Sequence, residues 1–568
     1  MTPVFDLASR IVEEHAASHP IVATYQGVPG HDHLMSDWSP AAEDARHAQT
    51  LGWLAELDTL PLENDDDRLA AAVIRERLGS GLAQYETSEH LRTINVLWSP
   101  VQLVRNVFTV MPTATDEHWR TIAERLEAVP WSLVTAIAAY AEGIARDVLP
   151  ARRQVLGAAK VAAVCAGVDA APDGSATPWF EGFVGGYAGD DAALAERLRS
   201  AAAGATAAYA DLTAWLRDVY ASAAAEADGV GRERYVRMAR VYLGADIDPE
   251  ETYSWAWGEL AAISRRMTEC AARLYGGVTP QEAQARLDVD PEHTIVDAEE
   301  TRAWLQRVTD ETTASFNGRF FDIPERMLTC EAVLAPPGSA AAPYYTGPSE
   351  DFSRPGRAWL PQIGEDRFRT WWLLSVWHHE AVPGHHLQIA YAKLQSERLS
   401  RFQRMTGVSG HSEGWALYAE RLMDELGYYT DPADELGFLS NQAMRAVRVV
   451  VDIGLHLGLE IPADADPALL DGVAGAVPGA VWDPALARSF LRVRALQTEG
   501  FAASEVDRYL GLPGQAICYK VGEREWLAAR EDARAAAGDD FDLKAWHMRA
   551  LALGSVGLAV LRAELASA

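Results

Sequence analysis

Apolar residues recur at three- and four-residue spacing through most of the 568-residue chain, the period of one face of an α-helix, and no strand–helix–strand alternation interrupts it. A doubly wound sheet is unlikely on this pattern, and a mainly α, multi-helix fold is expected. Helix-start signals sit where the periodic stretches begin: Asp116 ahead of EHWRTIAERLEAV, Pro150 ahead of ARRQVLGAAKVAAV, and Asp248-Pro249 ahead of TYSWAWGELAAISRRMTECAARLY. The periodicity lapses over 326–362, where Pro and Gly punctuate short runs that can pair, so a small antiparallel sheet is expected there. The stretch AAAEADGVGRE, 223–233, divides an N-terminal helical lobe, 1–230, from a second lobe, 231–568, or else is an interhelix turn within one continuous domain.

Charge narrows the partners. Lys and Arg number 50 against 81 Asp and Glu, a formal net charge of -31, which repels phosphate backbones and anionic membranes; neither nucleic acid nor a membrane is expected as a partner. The first residues, MTPVFDLASRIVEEHAASHP, lack a basic region and a long apolar run, and a cytoplasmic location is the expectation. Cys165, Cys270, Cys330 and Cys518 form no CxxC pair and are expected as reduced, mostly buried thiols.

Four of the 15 histidines fall between 378 and 386, in WWLLSVWHHEAVPGHHLQIAYAKL. Imidazoles and a carboxylate set among tryptophans and leucines need partners, and a metal is the most economical one. His379-Glu380 followed by His385 resembles the helix-borne HExxH arrangement, in which two His one turn apart hold zinc and the Glu is the general base. Here the second His is displaced by two residues through Pro383-Gly384, so that on a regular helix His379 and His385 differ by about 240°. A bulge at Pro383-Gly384 would return His385 to the required position. On a straight helix His386 instead comes within about 20° of His379, and it is the rival ligand.

A further ligand is expected downstream on a separate helix, and GHSEGWALYAE, 410–420, fits. Glu413 and Glu420 lie about 340° apart on one face, with His411 beside them. In SNQAMRAVRVVVDIGLHLG the polar residues Asn441, Arg445, Arg448, Asp452 and His456 fall within about 80°, forming either a buried ion network or the wall of a polar cavity, with Asp452 pairing Arg448 or His456. Tyr519 and Lys520, in PGQAICYKVG, place a phenol and an ammonium together; a phenol can donate to an oxyanion. His31 and His33, in GVPGHDH, are expected in a solvated loop.

With these residues assembled, the chain resembles the bacterial family catalogued as domain of unknown function 885, from about Pro20 to about Arg534. The strongest matches are PYYTGPSEDFSRPG, HEAVPGHHLQ, HSEGWALYAERL, MRAVRVVVDIGLH and PGQAICYKVG. That resemblance implies a large, mainly α, gluzincin-like fold with its small sheet beside the active-site cleft. A more distant similarity to gluzincins of the angiotensin-converting-enzyme type implies His379 and His385 as zinc ligands, Glu380 as base, Glu413 as third ligand and Tyr519 as transition-state donor. The departure at Pro383-Gly384 keeps His386 in contention.

The function expected is hydrolysis of peptide or related amide bonds in short substrates, with one Zn per chain. The strand residues Tyr344 and Tyr345 would hold an extended substrate by edge pairing. Arg354, Arg448 or Lys520 would bind a terminal carboxylate. Two other readings stand beside it: a metal-dependent amidase or deacylase of non-peptide substrates, and a non-catalytic helical binding protein with a vestigial metal site.

Overall fold

Helices begin where side chains can satisfy the free amides of a first turn. Asp248 accepts from the amides of Glu250 and Glu251, both at 3.0 Å, with Pro249 as first residue of the helix. At the second expected start the cap is Thr115, one residue earlier than Asp116; its hydroxyl accepts from the His118 amide. The computed structural model describes residues 2–171, 174–335, 342–349, 352–362 and 367–566, and the chain is 66% helical.

The chain divides into two compact units, one of Met1–Val230 with Asp507–Leu512 and one of Gly231–Val506 with Pro513–Ala568. The first is built around the long helix Ala192–Trp215, whose Leu198, Ala202, Tyr209 and Leu212 are buried with Phe108, Ile122 and Tyr140. Within it the run Asp116–Ala145 is, among the described residues, the one helical stretch long and apolar enough to cross a membrane. It is made of two helices whose Trp119, Ile122, Leu126 and Leu133 are buried in this core. Arg125, fully buried, donates to the carbonyl oxygens of His31 and Leu34 at 2.9 Å and so ties down the loop that carries His31 and His33.

The second unit contains the elements used below: α1 (Pro249–Tyr275), α2 (Ala298–Phe316), β1 (Cys330–Leu334), β2 (Tyr344–Thr346), β3 (Gly356–Leu360), α3 (Thr370–Glu380), α4 (His385–Leu394), α5 (Ser409–Glu425), α6 (Pro432–Leu457) and α7 (Cys518–Ala537). The expected sheet is present, in the order β1-β3-β2. Its β2–β3 pair is antiparallel, with Tyr345 opposite Ala358, while β1 joins β3 in parallel, so the sheet as a whole is mixed. Cys330 and Ala332 of β1 and Ala358 and Leu360 of β3 alternate inward, as a half-buried sheet requires, onto Leu305 of α2 and Leu373 and Trp377 of α3. The helix bearing His379 therefore rests directly on the sheet.

Helix α6 is buried from Leu436 to His456 and forms the axis of this unit. Its neighbours approach closely enough that only glycine fits. A Cβ at Gly437 would overlap the Trp371 carbonyl oxygen of α3, and one at Gly414 of α5 would lie 2.5 Å from the Gly522 carbonyl carbon of α7. Gly414 follows Glu413, and Gly522 is one turn beyond Tyr519, so this contact sets the spacing between those two side chains.

Gly414→Ala is accordingly expected to cost about 1–3 kcal/mol, as overpacking of a tight contact does. Urea denaturation of the metal-free protein checks this; an unaltered midpoint would show that the helices can separate without cost.

Candidate metal centre and its cleft

The two histidines expected to converge are brought together by a break between helices, not by a bulge within one. Helix α3 ends at Glu380, and the Ala381 amide still donates to the Trp377 carbonyl at 2.8 Å. Pro383, joined to Val382 by a cis peptide, has no amide to continue the ladder. Gly384 then donates to the His378 carbonyl at 3.0 Å, and α4 starts at His385. A Cβ at Gly384 would overlap the carbonyl oxygen of His379, which explains the glycine there.

The imidazoles of His379 and His385 consequently face each other, centroids 4.8 Å apart and planes at 86°. Glu413 Oε2 lies 3.3 Å from His379 Nε2 and 3.7 Å from His385 Nε2, and one donor atom from each of the three residues falls within 4.8 Å of the others. That oxygen is buried and makes no properly directed hydrogen bond among the described residues. His386 points elsewhere: its Nδ1 meets the Tyr345 hydroxyl at 2.9 Å and its Nε2 the Met327 carbonyl at 2.8 Å, so both nitrogens are engaged.

Behind His379 stands a second carboxylate. Glu420, fully buried, meets His379 Nδ1 at 2.9 Å through Oε1 and accepts from the Ser375 hydroxyl at 2.5 Å through Oε2. Arg445 Nη2 is 3.8 Å from the same Glu420 oxygen that meets His379. Burial works against a charged His379, but the carboxylates of Glu413 and Glu420, one beside each ring nitrogen, outweigh it and raise its pKa to about 9. Burial likewise opposes the charge on Glu413, yet the two imidazoles hold its carboxyl well below the usual range. Glu380, without such partners, is driven the other way, its pKa raised mainly by burial.

Glu380, His379, His385, Glu413 and Tyr519 line one cavity of about 830 Å³. The Tyr519 ring lies nearly parallel to that of His379, centroids 6.5 Å apart. The Arg448 guanidinium sits 4.7 Å over the Tyr519 ring and donates to Glu505 Oε2 from Nη2 at 2.8 Å. Tyr344 and Tyr345 also line the cavity, Tyr344 stacked on Trp359 at 5.7 Å.

Several expected residues lie outside this cavity. Arg354 donates to the Gly347 carbonyl at 2.8 Å, just beyond the end of β2. Lys520 is buried against Glu259 at 2.9 Å, Glu523 at 2.6 Å and Gln442 at 2.6 Å, which consumes its three donors. His411 packs its ring on Trp526, centroids 5.1 Å apart, as a core side chain. The polar stripe of α6 divides along its length. Asn441, Arg445 and Arg448 face the cavity, whereas Asp452 accepts from the Tyr235 hydroxyl at 2.7 Å and the Gly514 amide at 3.0 Å, with His456 3.7 Å away. From Asn441 to His456 is about 22 Å of helical rise, more than one pocket wall spans. Of the two partners expected for Asp452, His456 is the one found beside it, while Arg448 pairs with Glu505; Glu505 and Ser375 carry no motif by which sequence would single them out.

Residues 20–565 match the family described as bacterial protein of unknown function, DUF885. The chain belongs to that family. Its fold is shared with two solved structures, each described as a "putative lipoprotein". One, from Colwellia psychrerythraea, has a TM-score of 0.82 at 25% identity over 99% of this chain and 98% of its own. The other, from Shewanella oneidensis, has a TM-score of 0.75 at 17% identity over 99% of both chains. No curated protein matches the chain.

Around the site, this DUF885 chain buries histidines that burial keeps neutral: His378 and His386 are lowered to about 4, His411 and His547 to about 3. Each protonates near 6.5 once unfolded, so the unfolded chain binds more protons below about pH 6.5 and stability falls as the pH drops from there towards 4. Asp434, lifted to about 7 by burial and by Asp431, acts in the opposite sense, as do the raised His379 and Glu380 of the metal-free protein, and together they offset only part of the four imidazoles. Denaturation of the metal-free protein is expected to show a loss of several kcal/mol between pH 7.5 and pH 5; a flat profile would mean that these histidines are already solvated.

Proposed function

We propose that the chain is a zinc-dependent hydrolase of peptide or related amide bonds in short substrates. The observation that carries the reading is the juxtaposition of Glu413 Oε2 with His379 Nε2 and His385 Nε2 in a buried pocket. With Nδ1 held by Glu420, His379 turns Nε2 towards Glu413 Oε2; without metal a proton on that nitrogen matches the carboxylate, and a metal cation is the natural replacement for that proton. Two imidazoles and one carboxylate suit a catalytic zinc with an open position. The excess of acid supports it too: the four carboxylates of Glu380, Glu413, Glu420 and Glu505 stand against the three guanidinium groups of Arg369, Arg445 and Arg448. The order of His379, Glu380, His385, Glu413 and Tyr519 along the chain is also similar to that in gluzincins of the angiotensin-converting-enzyme type.

Held by His379, His385 and Glu413, zinc would supply Lewis acidity towards a substrate carbonyl and lower the pKa of a nucleophilic water towards ~7. Glu380 takes the proton of that water and passes it to the leaving amine, a task that its raised pKa suits. Tyr519 donates to the developing oxyanion, and Arg448 over its ring favours a polarised phenol. The edge strand β2 pairs with an extended substrate, and a cavity of about 830 Å³ admits only short ones. A panel of dipeptides, tripeptides and N-acyl amines separates peptidase from amidase or deacylase. Fractionation of native cells tests a cytoplasmic location against the envelope location that lipoprotein neighbours suggest.

Elemental analysis of zinc-loaded protein is expected to find about one ion per chain, lost in His385→Ala and Glu413→Ala but kept in His386→Ala. Loss confined to the His386 variant would reverse the ligand assignment, and full hydrolysis by metal-free protein would sink the metal reading altogether.

Glu380→Gln should retain zinc and fold while turnover drops on the order of a hundredfold or more, the usual worth of a general base. Tyr519→Phe should give a defect in the same direction. Activity of Glu380→Gln equal to that of the unsubstituted chain would remove Glu380 from the chemistry.

A further inference from the structure

In a chain of net charge -31, three cationic side chains, Arg369, Arg445 and Arg448, converge on one cleft. Their states differ. Arg448 is paired with Glu505 and laid over Tyr519, and Arg369 lies over the Trp372 ring at 5.3 Å. Arg445 is built otherwise. Its side chain is 9% exposed, and its Nη1 donates to Asn441, to the carbonyl oxygen and to Oδ1, both at 3.1 Å. Its Nε and Nη2 make no hydrogen bond among the described residues. The nearest carboxylate oxygen to Nη2 is that of Glu420, 3.8 Å away, and Glu420 already serves His379 and Ser375.

A guanidinium carries five donors in a fixed fork, and burying it with most of them idle is costly. An arriving carboxylate matches that fork and that charge. The surrounding wall, with Trp372, Met444 and Phe501, offers apolar surface, and among the described residues Glu420 is the one acid within 4.0 Å of the Arg445 guanidinium.

We infer that the substrate carries a carboxylate and that Arg445, oriented by Asn441, receives it inside the cleft. The inference rests on the hydrolase reading for the word substrate, but the binding site itself does not. The carboxylate comes either from a free C-terminus or from an acidic side chain, and Arg445 recognises the group common to both.

Titration calorimetry on the zinc-loaded, full-length Glu380→Gln protein separates these sources. One pair of probes is acetyl-phenylalanyl-phenylalanine as free acid and as amide; the other is acetyl-phenylalanyl-glutamic acid amide and its glutamine counterpart. The acidic member of one pair is expected to bind about ten- to a hundredfold more tightly than its neutral partner, the range of a charge-assisted hydrogen bond. Arg445→Gln should abolish that difference, and Arg445→Lys, which keeps the charge without the fork, should retain part of it. Equal affinities within both pairs would overturn the inference and leave Arg445 as a counter-charge to Glu420. So would a preference that survives Arg445→Gln, or no binding by any probe. Should Arg445→Gln fail to fold, the lysine variant and the comparison within each pair still decide. Tight binding of the acid without its hydrolysis by the Glu380-intact protein would sink the hydrolase reading alone.

Discussion

Everything at the candidate centre depends on the four residues between α3 and α4. An uninterrupted helix would send His379 and His385 to different faces and leave Glu413 without a second imidazole. The turn through Pro383 and Gly384 folds the chain back so tightly that the Gly384 amide bonds the His378 carbonyl, and no side chain can be accommodated at that point. The convergence of the two rings is thus a backbone property, fixed before any ligand is considered.

Around this turn the unit arranges charge in layers. Closest are the two imidazoles with Glu413; next come Glu420 and Ser375 behind His379; beyond them Arg445 and Asn441 close the wall. A separate buried network, Lys520 with Glu259 and Glu523 and Arg421 with the same two acids, fixes the start of α7. Since Tyr519 is the neighbour of Lys520, that network holds the phenol in place while taking no part in the cleft. Asp452, bound by Tyr235 and the Gly514 amide, does the same for the segment that leads into α7.

Much of this could be read from the sequence, because helical period and local chemistry are short-range properties. The periodic stretches and the sheet region follow from spacing within a few turns, whereas the grouping of His379 and His385 with Glu413, on another helix, is implied by the family resemblance, with His386 as the rival that a straight helix favours. What spacing could not supply was long-range pairing. Arg448 meets Glu505, 57 residues away, instead of Asp452 on its own face, and His386 is claimed by Tyr345 and Met327, 41 and 59 residues away. Lys520 and Arg354 show the same limit. A charged side chain beside a functional motif looks available in sequence, whereas folding had already assigned each of them partners. The parallel pairing of β1 with β3 is not legible in the sequence because the register of so short a strand carries no signal there.

One bond described above has a mechanical consequence. Tyr345 belongs to the edge strand β2, His386 begins α4 beside His385, and their side chains are joined at 2.9 Å, with Met327 holding the imidazole from its other nitrogen. The strand and the His385 turn therefore form a single braced strut. Displacing the sheet edge pulls on the first turn of α4, in which His385 lies next to His386.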